Sequence, residues 1–137
     1  KLKKLVTDLK LEKKILFLGQ KNTDELNKIY LNSDIYIQAS GYEGLPHVIL
    51  EAINFNLSII STPIGGTNEI LLNGKNGWVL NLKEGKAPDE FDLQKLIKYV
   101  VESKAVDKDK ILNAKEYIIN NFDEEKNLNK YIQVLKS

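Results

Sequence analysis

The feature that most constrains the fold is the alternation of short apolar runs with longer stretches of helical period. Apolar runs occupy residues 15–19, 34–40, 57–63 and 77–82, and amphipathic or turn-forming segments separate them. This order is typical of parallel strands joined by crossover helices. The sequence therefore predicts an α/β fold: one domain with a Rossmann-like parallel sheet and flanking helices over 1–87, continued by a helical C-terminal tail over 88–137.

Helix signals support this organisation. Asn22 and Glu25 have the spacing of a capping box and predict a helix that extends to about Leu31. Apolar residues recur at helical spacing over 2–9, and a short helix is expected over 68–72. The tail divides into three segments of helical period, over 88–103, 107–122 and 123–137.

Composition excludes several classes of protein. A chain of 137 residues with 42% hydrophobic content is sufficient for one core. The formal charge of +1 favours neither nucleic acid nor a membrane surface as a partner, and the chain has no cysteine for disulfides or thiolate chemistry. A single histidine cannot build a zinc site. The chain lacks an apolar run of roughly 18–20 residues, so the expected location is the cytoplasm.

The run around Pro46 predicts an anion-binding helix start. Pro46 suits the first position of a helix, which leaves the amides of His47 and Val48 without intrahelical acceptors. Free amides and the positive end of the helix dipole bind phosphate, and Gly44 allows close approach to the backbone. Ligands of open parallel sheets bind at this kind of strand-to-helix loop.

Two glutamates flank this helix start. Glu43 lies in the loop before it, and Glu51 lies roughly 7–8 Å further along the helix axis. Carboxylates accept hydrogen bonds from sugar hydroxyls, so the pair would suit a ligand with sugars on both sides of a phosphate. Glu43 could equally supply charge near a helix N-terminus, with Glu51 pairing with His47 at i,i+4. The residues alone leave both interpretations open.

The segment "SGYEGLPHVILEA", followed by "SIISTPIGGTNEILLNGKNGWVL", resembles the C-terminal domain of family-four (group 1) retaining GT-B glycosyltransferases. The family hallmark is a pair of glutamates separated by seven residues, which Glu43 and Glu51 match. The resemblance covers roughly 15–82. Further positions that match the family pattern are Ser40, Gly44, Pro46, Ala52, Thr62, Gly66, Glu69, Gly74 and Gly77.

The resemblance implies a role for each matched residue. Glu43 would be catalytic, bonding donor-sugar hydroxyls as the anomeric bond breaks, and Glu51 would bind the nucleotide ribose. Gly19 and Gln20 would lie near the nucleobase. The donor sugar and diphosphate would be held by Gly44, Leu45, Pro46, His47 and Val48.

The implied reaction moves a sugar, with retention, from a nucleotide diphosphate sugar to an acceptor, in polysaccharide, glycolipid or cell-surface glycan synthesis. The nucleotide sugar is a substrate, and neither a cofactor nor a metal is expected. The parent enzyme would be cytoplasmic or peripheral at the inner membrane face. The sequence does not identify the base, the sugar or the acceptor.

The chain also departs from the family pattern. All twenty basic residues are lysines, whereas the family uses an Arg and a Lys after its first strand to grip the diphosphate. The run 15–19 matches the third of six family strands, so two strands and the N-terminal acceptor-binding domain are missing. We therefore expect a fragment that is inactive alone. Its sheet would close by direct pairing of 15–19 with 34–40, or through self-association with a second copy.

Two other functions fit the residues. The first is a non-catalytic α/β binding or assembly module that partners a separate acceptor-domain chain. The second is a regulatory domain that binds free phosphate. Two further residues have structural interpretations: Trp78 is expected in the core of the last strand, and Glu69 in the first turn of a short helix.

Overall fold

The computed structural model describes residues 1–40, 44, 46–80, 89–102 and 106–122. Helices and strands alternate over residues 23–102, as the apolar runs 34–40, 57–63 and 77–82 predict. The elements in chain order are α1 (Leu2–Asp8), α2 (Thr23–Leu31), β1 (Ile35–Gln38), α3 (His47–Asn54), β2 (Ser58–Ser61), α4 (Thr67–Ile70), β3 (Trp78–Val79), α5 (Glu90–Glu102) and α6 (Val106–Asn121).

The three strands form one parallel sheet in the order β1-β2-β3. Ile35 pairs with Ser58 and Gln38 with Ser61 at the two ends of the first ladder, while Ile60 pairs with Trp78 in the second. All four residues of β2 are buried, as expected for the central strand of a covered parallel sheet. Because the strands are parallel, their carboxyl ends meet at one edge.

Helices cover both faces of the sheet. Ile59 belongs to a core cluster with residues of α2, α3, α4 and α6, whereas its neighbour Ile60 packs with Trp78 and with Val100 of α5. The alternation of side chains along a strand explains why adjacent isoleucines serve opposite layers. The α/β architecture and the buried position of Trp78 are thereby confirmed.

The predicted capping box at α2 is present. Asn22 Oδ1 accepts from the Glu25 amide at 3.0 Å, and the Asn22 amide donates to Glu25 Oε2 at 3.2 Å. Lys21 Nζ adds an ion pair to Glu25 Oε1 at 3.2 Å. The hydrogen bond from the Asn22 backbone amide holds the pKa of Glu25 below its ordinary value, and the hydrogen bond and positive charge of Lys21 add to this effect.

The predicted strand over 15–19 is wrong. These residues form no strand, and the side chains of Ile15 to Leu18 are between 40% and 76% exposed. Direct pairing of 15–19 with 34–40 is also wrong, because β1 pairs only with β2 among the described strands. A strand needs a neighbouring edge for its backbone groups, and an apolar pattern does not reveal whether that edge exists.

The other boundaries differ from the predicted ones by a few residues. The observed β1, β2 and β3 are shorter than the runs 34–40, 57–63 and 77–82, and the short helix is α4. Helices α5 and α6 confirm the helical character of the tail. The predicted helical segment 123–137 lies outside the described residues.

Candidate functional site

The loops after β1 and β2 are tied together at the carboxyl edge of the sheet. Thr62 Oγ1 donates to the Ser40 carbonyl at 2.8 Å, and the Thr62 amide donates to the Gln38 carbonyl at 3.0 Å. The Gly66 amide donates to the Gly44 carbonyl at 2.9 Å. Thr62 is buried. The structure therefore brings together the two loops that the sequence places at the ligand-binding edge.

Helix α3 starts at this edge with an open end. Pro46 is the N-cap residue and the helix begins at His47, one position later than predicted. The Ile49 amide donates to the Pro46 carbonyl at 2.9 Å. Within the described part of the chain, the amides of His47 and Val48 have no acceptor. The helix start thus presents two free amide donors to an anion.

The space around the helix start is accessible. His47 is exposed, Val48 is 36% exposed and Gly44 is exposed. A Cβ added to Gly44 would meet no described atom within 4 Å, so the backbone is open to a ligand there. Pro46 is buried, which anchors the start of α3 against the fold. Gly44, Pro46, His47 and Val48 therefore lie where an anion site requires them.

Glu51 lies one turn after this helix start and pairs with a residue that the sequence did not indicate. Tyr30 Oη, at the end of α2, donates to Glu51 Oε2 at 3.5 Å. The proposed pairing of Glu51 with His47 is absent from the described contacts and is corrected to the pairing with Tyr30. The neutral hydroxyl of Tyr30 therefore contacts Glu51, in place of an exposed ion pair with His47.

Tyr30 is the functional candidate that sequence reasoning missed. Tyr30 is 5% exposed, and burial, together with the charge of Glu51, raises the pKa of its hydroxyl. Leu26 and Tyr30 share one helix face at i,i+4, which predicts burial, and a buried tyrosine hydroxyl needs a partner. The partner itself, 21 residues away along the chain, could not be inferred from that spacing.

The remaining candidate residues are less closely joined to α3. Gly19 and Gln20 are exposed and lie in the loop before α2, and none of the described hydrogen bonds connects them to the helix start. Glu43 and Leu45 lie outside the described residues. Glu69 lies in the first turn of α4 and is exposed, in agreement with its expected position.

A separate cavity of about 610 Å³ lies between the turn before β3 and helix α6. Lys110 Nζ donates to the Gly74 carbonyl there, and Asn113 Nδ2 donates to the Lys75 carbonyl at 3.3 Å. This turn leads into β3, so the cavity is at the amino end of that strand. It is therefore distinct from the helix start of α3, which lies at the carboxyl edge.

The described residues contain no group of three or more His, Cys, Asp or Glu side chains that could hold a metal ion. Among the described helices, none combines the length and apolar character required to cross a membrane.

The parallel sheet with helices on both faces has the fold of the C-terminal domain of GT-B glycosyltransferases. Residues 1–117 match the family described as Glycosyl transferases group 1. The chain belongs to this family, and the fold that the resemblance implied is confirmed.

Relatives of known structure or name agree with this assignment. The chain is 31% identical over 129 residues to UDP-Gal:alpha-D-GlcNAc-diphosphoundecaprenol alpha-1,3-galactosyltransferase of Escherichia coli, covering 90% of this chain and 30% of the relative. It superimposes on the C-terminal domain of a group 1 glycosyl transferase, LpcC of Francisella tularensis, with a TM-score of 0.75 at 21% identity, covering 90% of this chain and 61% of that one.

A second solved structure, Anabaena HepE in complex with UDP and glucose, has a TM-score of 0.80 at 22% identity and covers 98% of this chain and 35% of that one. The chain thus spans about a third of the length of HepE, and a similar share of the Escherichia coli relative.

Proposed function

We propose that the chain forms the donor-binding part of a retaining glycosyltransferase, which moves a sugar from a nucleotide diphosphate sugar to an acceptor. The observation that carries the proposal is the open start of α3. Two free amides, of His47 and Val48, lie at the carboxyl edge of a parallel sheet, and the carboxylate of Glu51 lies on the next turn. Amides suit a diphosphate, and a carboxylate suits ribose hydroxyls.

The chemistry assigned to the site follows the charge that develops in the reaction. The bond between the anomeric carbon and the diphosphate oxygen breaks, and its electron pair leaves with the diphosphate. Donors fixed before the reaction stabilise that growing negative charge without reorganising. The amides of His47 and Val48 and the dipole of α3 supply such donors. The oxygen of an acceptor hydroxyl then bonds to the anomeric carbon on the face that the diphosphate left, and the hydroxyl proton passes to the departing diphosphate.

The other site residues complete the proposed donor site. Glu43 is the proposed catalytic residue and contacts hydroxyls of the donor sugar. The backbone from Gly44 to Val48, including Leu45 and Pro46, holds the sugar and diphosphate, while Gly19 and Gln20 adjoin the base. We propose that transfer requires no metal, because the helix start and lysine side chains supply the positive charge.

Two relatives support a nucleotide sugar as the donor. The name of the Escherichia coli relative contains UDP-Gal, and Anabaena HepE was solved with UDP and glucose. The acceptor named for the Escherichia coli protein is linked to diphosphoundecaprenol, a lipid carrier. This supports a parent enzyme in polysaccharide or glycolipid synthesis that works in the cytoplasm, peripherally at the inner membrane face.

We also propose that an acceptor-binding domain must join this chain before transfer occurs. The chain spans 30% of the Escherichia coli relative, so most of that enzyme has no counterpart here. Incubating the 137-residue chain with UDP-galactose or UDP-glucose and with the acceptor named for that relative, GlcNAc-diphosphoundecaprenol, should transfer no sugar above the rate without protein. Sugar transfer by the chain alone would contradict this part of the proposal.

Nuclear magnetic resonance titration tests donor binding directly. Adding UDP or GDP to the labelled chain should shift the amide signals of His47 and Val48 in a saturable manner. Glu51→Gln keeps the size of the side chain but weakens its acceptors, and should raise Kd by about tenfold. The matched control is Glu102→Gln, at an exposed position of α5. Because α5 packs on the other face of the sheet, this variant should leave Kd unchanged.

Three outcomes of this titration would change the conclusion. If neither nucleotide shifts the amides of His47 and Val48, the donor-binding function is wrong. If inorganic phosphate binds as tightly as either nucleotide, the conclusion changes from a donor-binding function to a phosphate-binding regulatory domain. If Glu51→Gln binds as the unaltered chain does, the ribose assignment of Glu51 is wrong.

A second candidate is a non-catalytic α/β module that partners a separate acceptor-domain chain. The exposed apolar side chains of Ile15 to Leu18 favour it, because clustered exposed apolar residues are typical of interaction sites. Nucleotide binding distinguishes the candidates: the module would keep the fold without binding UDP or GDP.

A further inference from the structure

The buried side chain of Tyr30 contacts the Glu51 carboxylate, which is the proposed ribose-binding group. Tyr30 Oη lies 3.5 Å from Glu51 Oε2, although the two residues come from different helices, α2 and α3. Tyr30 is 5% exposed, whereas Glu51 is exposed. The hydroxyl therefore reaches from the core to the base of a surface carboxylate.

Packing fixes the position of the tyrosine ring. Its centroid lies 5.3 Å from the ring of Phe55 and 6.2 Å from the ring of Tyr36, the latter in an edge-to-face arrangement. Tyr30 also belongs to the core cluster that includes Ile49 and Ile53 of α3. A ring held by these contacts keeps its hydroxyl at one place, whereas an exposed glutamate has several rotamers.

The hydrogen bond leaves half of the carboxylate available. Burial and the negative charge of Glu51 raise the pKa of Tyr30, so the hydroxyl keeps its proton and donates to Oε2. Among the described residues, Glu51 Oε1 has no hydrogen-bond donor. One oxygen is thus anchored to the core, and the lone pairs of the other are available for ligand hydroxyls.

We infer that Tyr30 is a positioning residue, which holds the Glu51 carboxylate in the orientation that accepts hydrogen bonds from the ribose hydroxyls of a nucleoside diphosphate. This inference rests on the proposed function and adds a residue outside the helix-start motif. Tyr30 acts through Glu51 and does not itself contact the ligand. Its contribution is a carboxylate already ordered before the nucleotide binds.

Tyr30→Phe tests the inference, because it keeps the packed ring and removes only the hydroxyl. The variant should raise Kd for UDP, or for GDP if that nucleotide binds, by about threefold to tenfold in the amide titration. Tyr117→Phe is the matched control: Tyr117 also packs against a phenylalanine, Phe122, but lies on α6. It should bind the nucleotide as the unaltered chain does.

A nucleotide that lacks the 2′ and 3′ hydroxyls shows whether Tyr30 positions the Glu51 carboxylate or only stabilises the fold. With 2′,3′-dideoxyuridine diphosphate, or its guanosine counterpart, Tyr30→Phe and the unaltered chain should have equal Kd, because the probe lacks the hydroxyls that Glu51 accepts. The double variant Tyr30→Phe with Glu51→Gln should bind UDP no more weakly than Glu51→Gln alone. Equal losses for UDP and the dideoxy probe would show general damage and overturn the inference.

The possible failures are distinguishable. If Glu51→Gln weakens nucleotide binding and Tyr30→Phe does not, the positioning role is wrong and the donor-binding function stands. If neither UDP nor GDP binds the unaltered chain, both proposals fall together. Urea unfolding of Tyr30→Phe verifies that the variant is folded during the titration.

Discussion

At the scale of single residues, Thr62 connects the central strand to the candidate site. Its hydroxyl donates to the Ser40 carbonyl and its amide to the Gln38 carbonyl, so it fixes the loop after β1 against the loop after β2. Thr62 is 1% exposed, which removes water as a substitute partner. The geometry of the candidate anion-binding edge therefore depends on a buried hydroxyl.

Replacing Thr62 with Val should destabilise the chain by about 1–2 kcal/mol, because a buried hydrogen bond is lost at nearly constant volume. Urea unfolding measures this change, with Thr7→Val as the control at an exposed threonine of α1. Nucleotide affinity should fall as well, since the loops of the site separate. Equal unfolding free energies for Thr62→Val and the unaltered chain would contradict the assigned role.

Residue-level prediction from the sequence succeeded where the determinants were local. The free amides of His47 and Val48 follow from Pro46 at the helix start, and the structure differs by only one position. The i,i+4 spacing left open a pairing of Glu51 with His47, whereas the fold brings Tyr30 to Glu51 from another helix. A contact across two elements depends on packing, which the local pattern does not contain.

At the scale of elements, the start of α2 shows how a local signal fixes a boundary. Asn22 and Glu25 satisfy each other's backbone amides, so the helix begins where the spacing predicts. The strand predicted over 15–19 had no comparable local determinant. Its apolar side chains suit a strand, but a strand also needs a neighbour to pair with, and none of the described strands pairs with this run.

The capping box also makes a prediction about pH. The Asn22 amide and Lys21 hold the pKa of Glu25 below the ordinary value of a glutamate, so folding favours the ionised carboxylate. The stabilisation by Glu25 is fully present above the pKa that Glu25 has in the unfolded chain. It is lost as the pH falls through the lower pKa that Glu25 has in the folded chain. The stability difference between the unaltered chain and Glu25→Gln should therefore shrink towards acid pH.

Thermal unfolding from about pH 7 to about pH 3 measures that difference, because the range includes the ordinary pKa of a glutamate. Glutamine can still accept in a capping box, so the comparison isolates the charge. Glu116→Gln, at an exposed position of α6, controls for loss of a negative charge without a capping contact. A difference for Glu25→Gln that is constant across the range would contradict the role of its ionised form.

At the scale of the whole molecule, the sheet is well covered on its faces, but the described residues leave its edge strands with a neighbour on one side only. Strand β1 has β2 on one side only, and the apolar run Ile15 to Leu18 forms no ladder among the described residues. Open edges and exposed apolar runs both favour association with another chain. The apolar pattern predicted a strand at 15–19, but only the assembled sheet shows that no described strand pairs with these residues.

We expect the 137-residue chain to self-associate through this surface. Leu16 is 76% exposed and Leu18 is 49% exposed, so changing both to Lys adds charge where burial in a dimer would be costly, without emptying the core. Sedimentation velocity over a range of concentrations should show dimers or larger species for the unaltered chain and monomers for the double variant. Leu112→Lys, 65% exposed on α6, should leave the association unchanged. A monomeric unaltered chain, or an equal effect of Leu112→Lys, would exclude the surface at 15–18 as the site of association.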